Sequence, residues 1–584
     1  MWEKSGLIFQ SKGGDIVIEN RKRLSQLAAS TRLQSAAPGE NEWLWEIEAH
    51  INLGLNGAAY DLAVEGVKRA PRDDRYKYFA VLAMARMGSL NEALSLYEGY
   101  KLSSNTRDED IASLGPRLRR DVAFAAPGGP DKKQLTLAAE AYEKVFRTLK
   151  TTYPGVNAAS TYAMSGDLKR AKPIAEEVTT LVQSALEDLD EDDPSYWPRA
   201  TLGECRLISG DKAGAASDFA AAGGAVDAAP GKIATTRKQL MRLKSALPID
   251  EAWIDRVLPT GAVLYFSGPL PPNGDDADAT LDRLKKRFGD FLARRRLVAA
   301  IGALAAGADI AIAEMLLDAG VALHVHLPLP PAEFLAASVA PAGGDWKERY
   351  IACVEQAQSI EWMRRSPRSR AAYRLGSRVA IGRAIRHADE LATHAVGFVA
   401  VQRGRSPIDS ISQENAATWQ ALGLAIEVAE DEWPAAAAKT EKDSGPECLS
   451  ALVALGPAAA KGDKIAKPLF TSVEGELLLM GFASPHEAID AAGALSRSAD
   501  GAKSRLWLDI GVGDPSSEAG RAQFSSSLLT ASCRPETPRG KVHASEAFAS
   551  AASAGPGPLP RFEYAGYAAS EEKLEPCPIY LADV

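Results

Sequence analysis

The sequence predicts a multidomain chain of mixed α and α/β class. It comprises an N-terminal α-helical repeat solenoid, a central doubly wound parallel sheet and a C-terminal α+β domain. Three observations predict this. Alanine-rich helical periodicity runs from about Glu40 to Leu247 and repeats itself. At Gly261 the texture changes to short apolar runs alternating with helical stretches. Past an Ala/Lys/Glu/Ser-rich linker at 433–446, strand-like runs and helices return in a different arrangement. The expected divisions are an extension at 1–39, repeats at 40–250, a central domain at 256–432 and a last domain at 447–584. At roughly 150 residues per domain, 584 residues hold three or four.

Composition narrows the class. Hydrophobic residues make up 46% and charged residues 24%, ordinary globular usage. Lys and Arg total 67 against 76 Asp and Glu, a net charge of −9, so bulk nucleic-acid binding is not expected. No apolar run reaches the ~18–20 residues of a membrane span, and Met1–Lys12 holds no signal-peptide core, so no membrane contact is expected. Cys205, Cys353, Cys448, Cys533 and Cys577 are scattered without a C-x-x-C pair, which argues against zinc ribbons and disulfide scaffolds. A reducing, cytoplasmic setting is the expectation.

The helical region carries one signature four times: Gly54–Ala59–Ala63, Gly88–Ala93–Tyr97, Gly166–Ala171–Ala175 and Gly210–Ala215–Phe219. Glycine ends the first helix of a pair in a left-handed turn. Alanine lets the second helix pack closely, and an aromatic fills the groove toward the next pair. One pair cannot bury its own face, so pairs stack. Gly54 and Gly88 stand 34 residues apart, the tetratricopeptide period. The strings Tyr153-Pro-Gly-Val-Asn157 with Ser165-Gly-Asp167, and Tyr196-Trp197-Pro-Arg-Ala200 with Gly210-Asp211, resemble the TRAFs-binding regulatory region. That region is shared by apoptosis signal-regulating kinases and many bacterial proteins. The resemblance implies a protein-interaction scaffold with a protein partner on the repeats. The plainer alternative is a helical domain that only packs on its neighbours.

In the central domain, Ala262–Phe266 reads as a buried parallel strand closed by Ser267-Gly268-Pro269. Leu281, Leu284, Phe288 and Leu292 mark a helix with one apolar face. Strand Leu297–Ile301, helix Ile310–Ala319 and strand Val321–Leu327 follow. Later strands are expected at Ala395–Val401 and Leu424–Ala429, around a helix at Asn415–Leu422. Such alternation means a doubly wound parallel sheet. Gly302-x4-Gly307-x-Asp309 opens a helix, where backbone N–H groups and the helix dipole attract an anion. It is neither a Walker A loop nor a G-x-G-x-x-G fingerprint.

Gly302–Leu327 with Ser267-Gly268 resembles the SLOG superfamily of nucleotide-binding Rossmann-like domains. Phe334, Ser338-Val339, Trp346 and Arg349-Tyr350 resemble a bacterial branch of it found beside the same helical repeats. The resemblance implies a nucleotide or nucleotide-derived ligand at the strand ends, with Ser267, Gly268, Gly302, Gly307, Asp309, Glu314 and Arg349 as ligand-binding residues. The Pro-Gly-Gly-x-Gly-Thr loop of its phosphoribohydrolase branch is absent, and Pro269-Leu-Pro-Pro stands where polar residues are expected, so binding rather than hydrolysis is implied. Asp309 reads equally as an N-cap, and Glu314 as a solvent-facing helical residue. His324 and His326 share one strand face and read as packed histidines, with no metal expected. Arg364, Arg365, Arg368, Arg370, Arg374, Arg378, Arg383 and Arg386 could clamp phosphates. A solvated helix face paired with the acidic excess is the favoured reading.

The C-terminal strands are expected at Cys448–Leu455, Glu476–Gly481 and Leu506–Ile510, with a helix at His486–Leu495. Pro538-Arg-Gly540 through Phe548, Phe562–Gly566 and Pro578-Ile-Tyr580 resemble the tail of class III nucleotidyl cyclase domains. Two-metal chemistry needs paired carboxylates, yet Ser450–Gly456 carries no acid and only Glu476 survives at the second position. Leu528 and Ser532 fall where that family's Asn and Arg act. The resemblance implies a degenerate, non-catalytic cyclase-like domain, and a possible homodimer through it. The leading expectation is a non-catalytic signalling protein that senses a nucleotide-derived ligand and relays it to protein partners, with no catalytic residue assigned. The alternatives are an enzyme acting on nucleotides or NAD, a residual cyclase included, and a purely structural scaffold.

Overall fold

The computed structural model describes residues 8–12, 15–19, 43–44, 47–48 and 56–584, apart from 87–89, 125, 127–128, 191–192, 194, 229, 272–276, 364–367, 405–409, 434–446, 457–466, 475–476, 529–538, 556–561, 569–576 and 583. The chain divides into two compact units. One is Pro38–Thr260 with Glu390–Ala392; the other is Met1–Ala37, Gly261–Asp389 and Thr393–Val584. In the second unit, β1 (Ile8–Lys12) and β2 (Asp15–Glu19) form an antiparallel ribbon.

The first unit is a stack of antiparallel helices: α1 (Asn56–Arg69), α2 (Asp74–Arg86), α3 (Leu90–Gly99), α4 (Glu109–Phe124), α5 (Lys132–Leu149), α6 (Thr152–Ser165), α7 (Leu168–Glu187), α8 (Tyr196–Ser209), α9 (Lys212–Gly223), α10 (Pro230–Leu243) and α11 (Glu251–Val257). Two of its turns share one construction. Gly166 (φ 97°) ends α6 and Gly210 (φ 103°) ends α8, left-handed positions that favour glycine. The next residue is an aspartate that caps the following helix, Asp167 from Arg170 N at 3.1 Å and Asp211 from Gly214 N at 2.8 Å. Ala171, Ala175, Ala215 and Phe219 behind those turns are fully buried, as are Ala59, Ala63 and Ala93. Gly54 and Gly88 lie outside the described residues. A polar ladder links the first helices of successive pairs. Arg120 donates to Asn157 at 2.7 Å, while Glu204 accepts from Ser160 and from Gln239 at 2.9 Å.

The second unit contains a six-stranded parallel sheet: β3 (Ala262–Ser267), β4 (Leu297–Gly302), β5 (Ala322–Leu327), β6 (Ser359–Trp362), β7 (Ala395–Gln402) and β8 (Ile426–Asp431). The strand order is β6-β5-β4-β3-β7-β8, so β3 and β7 are neighbours although three strands separate them in sequence. Between strands run α12 (Ala277–Ala293), α13 (Ala308–Asp318), α14 (Pro331–Ser338), α15 (Trp346–Gln356), α16 (Arg370–Glu390) and α17 (Ile411–Ala421). The core joins Leu264 and Phe266 of β3 to Phe288, Phe291 and Phe398.

A seven-stranded sheet completes the unit: β9 (Glu447–Leu455), β10 (Phe470–Glu474), β11 (Leu477–Phe482), β12 (Arg505–Gly513), β13 (Val542–Ser545), β14 (Phe562–Ala568) and β15 (Cys577–Ala582). Its order is β10-β11-β9-β12-β13-β15-β14, with β12 and β13 parallel and the other pairs antiparallel. Helices α18 (Pro485–Ser496) and α20 (Glu546–Ser553) pack on one face; Phe524 of α19 (Glu518–Ser527) packs on the other.

The two sheets share a core through α16. Ala371, Leu375 and Val379 of this helix pack with Leu452, Met480 and Phe548 of the seven-stranded sheet's domain. At Gly382 the helix passes so close to α20 that an added Cβ would lie 1.7 Å from the Ser550 carbonyl oxygen. This corrects the expected solvated arginine face. Alanines, glycines and branched residues bury most of the helix, and several arginines are enclosed with their partners.

Candidate functional site

The C-terminal ends of β3, β4, β5 and β7 surround a cavity of about 780 Å³. That size lies within the ~300–1,000 Å³ range of small-molecule sites, and strand C-terminal ends are where open α/β sheets hold ligands. Ser267, Gly268, Asp309 and Arg349 line it; Gly302, Gly307 and Glu314 do not.

Each of the seven has a definite place. Ser267 closes β3, and its Oγ accepts from Asn415 Nδ2 at 3.0 Å. Gly268 donates its N–H to Asp309 Oδ1 at 2.8 Å, and a Cβ there would meet Ala308 Cβ at 2.3 Å. Asp309 also accepts from Ala305 N at 3.3 Å. Its partners are therefore two loop N–H groups and not the helix it opens; the N-cap position belongs to Gly307, which has no side chain to offer. Asp309 is 6% exposed. Burial raises its pKa to about 7, outweighing the two N–H donors that favour the carboxylate.

Gly302 serves packing, since a Cβ would stand 2.7 Å from the Phe266 ring. Gly307 has φ +99°, a conformation that favours glycine, and a Cβ would meet Pro271 N at 2.6 Å. The Pro269 carbonyl accepts the Ala308 N–H at 3.2 Å, so the loop after β3 folds over the start of α13. Glu314 holds Arg349 in a fork, with both distances 2.7 Å, and Arg349 lies 4.0 Å over the Trp346 ring. Glu314 is thus a half-buried partner of a wall residue rather than a solvent-facing one.

His326, expected as a packed histidine, is also on the cavity wall. It is 5% exposed, and neither ring nitrogen has a hydrogen-bond partner. Burial, reinforced by the Arg383 charge and opposed by Glu361, lowers its pKa to about 3, so the ring is neutral. His324 shares the strand face of His326 but does not line the cavity; its Nδ1 is 2.8 Å from Ser359 Oγ and its ring 5.1 Å from that of His387. Among the described residues no three His, Cys, Asp or Glu side chains come together as a metal site.

Sequence reasoning does not assign Tyr373, Ser377 or Asn415 to the site. Tyr373 OH and Ser338 Oγ are 2.9 Å apart, and Asn415 reaches Ser377 Oγ at 3.3 Å. Only Ser338 carries a signal, through the quoted branch motif. The others become neighbours only when α16 and α17 cross the sheet.

Three arginines of the stretch are committed to protein partners. Arg374 donates to Glu414 at 2.8 Å. Arg383 bridges Glu361 and Glu546, both at 2.9 Å, and Arg386 lies 3.8 Å over the Tyr580 ring. None of the described arginines of the stretch lines the cavity; Arg364 and Arg365 lie outside the described residues.

In the C-terminal domain, Ser450 is buried on β9 opposite Ile510, and Leu528 is buried beside Phe524. Leu528 offers no ligand atom, and the Ser450 hydroxyl is uncharged and only 1% exposed, so neither supplies the carboxylate or cation of two-metal chemistry. Glu476, Ser532 and Arg534 lie outside the described residues. The buried carboxylate of this sheet is Asp509, which accepts from Ser545 Oγ at 2.7 Å.

A family model described as Tetratricopeptide Repeats-Sensor matches residues 59–163, which fall in α1 to α6. No curated protein matches. Among solved structures, a thermophilic tetratricopeptide-repeat protein of Thermus thermophilus is similar at 19% identity. The match covers 35% of this chain and 100% of that one with a TM-score of 0.28. A tetratricopeptide-repeat protein from Parabacteroides merdae is similar at 11% identity, covering 41% and 90%, with a TM-score of 0.25. Over residues 59–163 the helical unit is tetratricopeptide-like. Among the described residues no helix is long and apolar enough to cross a membrane.

Proposed function

We propose that this chain is a non-catalytic signalling protein. Its parallel sheet, read as a doubly wound Rossmann-type domain, takes a nucleotide-derived small molecule in the cavity at the strand ends. Its tetratricopeptide-type repeats engage a protein partner. The seven-stranded domain, read as a degenerate cyclase-like fold, responds to the occupied state.

One observation carries the reading: α16 belongs to both halves of the unit. Tyr373, Gly376, Ser377 and Ala380 line the cavity, while Ala371, Leu375 and Val379 of the same helix pack into the seven-stranded domain. A ligand that favours one placement of this helix therefore biases the neighbouring domain as well. The exposed aromatics Tyr153 and Trp197, 42% and 46% accessible at the starts of α6 and α8, offer the repeats contact surface for a partner.

The test is mass spectrometry of the small molecules released when the purified full chain is denatured. A nucleotide-derived compound at near-stoichiometric amount, lost in Ala337→Trp, supports the reading. Full recovery of the same compound from that cavity-filled variant contradicts it.

A further inference from the structure

A phosphate at the start of α13 would need free N–H groups from the loops above it and a cation beside it. Three such N–H groups and the cation beside them are already taken by the chain. The Asp309 carboxylate occupies Gly268 N at 2.8 Å and Ala305 N at 3.3 Å, and the Pro269 carbonyl occupies Ala308 N at 3.2 Å. Arg349 is held in the fork of Glu314 at 2.7 Å. Among the described lining residues, the acidic side chains Asp278, Asp309 and Asp345 outnumber the basic Arg349.

What the walls offer instead is neutral hydrogen bonding. His326, 5% exposed with two unpartnered nitrogens, presents one donor and one acceptor in its neutral form. Tyr373 with Ser338 and Asn415 with Ser377 add hydroxyl and amide groups. A buried polar group without a partner costs free energy that a ligand can recover.

Resting on the reading of the cavity as a nucleotide-derived site, we propose that the Asp309 carboxyl group stands where a phosphate would bind and takes the loop N–H groups a phosphate would use. The ligand is then a nucleoside-type molecule, a polar heterocycle carrying a hydroxylated sugar, and 5′-polyphosphates are disfavoured. His326 reads the heterocycle. Asp309 sets the charge preference.

The experiment is calorimetry on the full chain with adenosine, guanosine, cytidine and uridine, each alone and as its 5′-triphosphate. Wild type is expected to bind one nucleoside at least tenfold tighter than its triphosphate. Asp309→Ala, which frees the two N–H groups, narrows or reverses that ratio by tenfold or more, while His326→Phe weakens nucleoside and triphosphate alike. If Asp309→Ala does not fold, Asp309→Asn replaces it and is expected to narrow the ratio in the same direction. A triphosphate that binds wild type more tightly than its nucleoside overturns this inference and leaves the cavity reading standing. So does a ratio unchanged by whichever Asp309 variant folds. If none of the compounds binds, this inference falls, and the cavity reading falls with it only when NAD derivatives and cyclic nucleotides fail to bind as well.

Discussion

Arg383 of α16 lies 2.9 Å from Glu546 in the first turn of α20, across the boundary between the two sheets. The same guanidinium reaches Glu361 at 2.9 Å, and the Arg383 and Glu546 side chains are only 13% and 15% exposed. One cation thus joins the parallel sheet, the helix behind the cavity and the neighbouring domain.

Removing that cation leaves the sheltered Glu546 and the more exposed Glu361 without their counter-charge. Arg383→Met is expected to cost about 3–5 kcal/mol in urea unfolding, the range for breaking a buried pair from one side. Arg383→Met combined with Glu546→Leu is expected to cost less than the sum of the two single changes. Strict additivity would mean that the pair is not coupled.

The approach of α16 to α20 depends on Gly382 having no side chain. Gly382→Ala places a methyl group 1.7 Å from the Ser550 carbonyl oxygen, which backbone must move to relieve. We expect a loss of about 3 kcal/mol or more, read as a lowered midpoint in urea unfolding. The control is Gly289→Ala in α12, where only Met315 Cε at 3.6 Å comes near and about 0.5–1 kcal/mol should be gained.

Gly302 is a packing glycine. Gly302→Ala is expected to destabilise by about 1–3 kcal/mol through contact with the Phe266 ring, 2.7 Å from the added Cβ. Trimming the ring with Phe266→Leu in the same chain should recover part of that loss. Thermal unfolding of the three variants checks it, and a double variant no better than the simple sum would count against the assignment.

Asp309 makes stability depend on pH in a defined direction. Its pKa in the fold, about 7, lies above the ordinary 3.8, so the fold favours the protonated acid. The stabilisation from this group is fully present below about pH 4 and is lost as pH rises through about 7. Asp309→Asn removes the titration. The stability of wild type relative to this variant should fall between about pH 4 and 7.5, by at most about 4 kcal/mol at roughly 1.4 kcal/mol per unit. Chemical denaturation across that range measures it; a flat or rising difference contradicts the burial of the carboxylate.

Much of the fold is legible because its determinants are local. The Gly166-Asp167 and Gly210-Asp211 turns carry the helix stop and the next cap in adjacent residues. The apolar runs of β3, β4, β5 and β7 announce buried parallel strands. The short β6, Ser-Ile-Glu-Trp, has no such run and escapes sequence reasoning. The site is legible only in part, because its contacts are distant in sequence. Asp309 meets Gly268 from 41 residues away, and Asn415 meets Ser267 from 148. The arginines of α16 read as solvated because the carboxylates that hold them, Glu414, Glu361 and Glu546, lie on other elements.

The proposed signalling role depends on the cavity at the strand ends binding a nucleotide-derived small molecule. Calorimetry with wild type and Ala337→Trp, against nucleosides, nucleotides, NAD derivatives and cyclic nucleotides, tests it most directly. The predicted result is saturable binding of at least one compound to wild type, abolished in a variant whose unfolding is unchanged. Absence of binding across the panel, or binding that persists with the cavity filled, would contradict it.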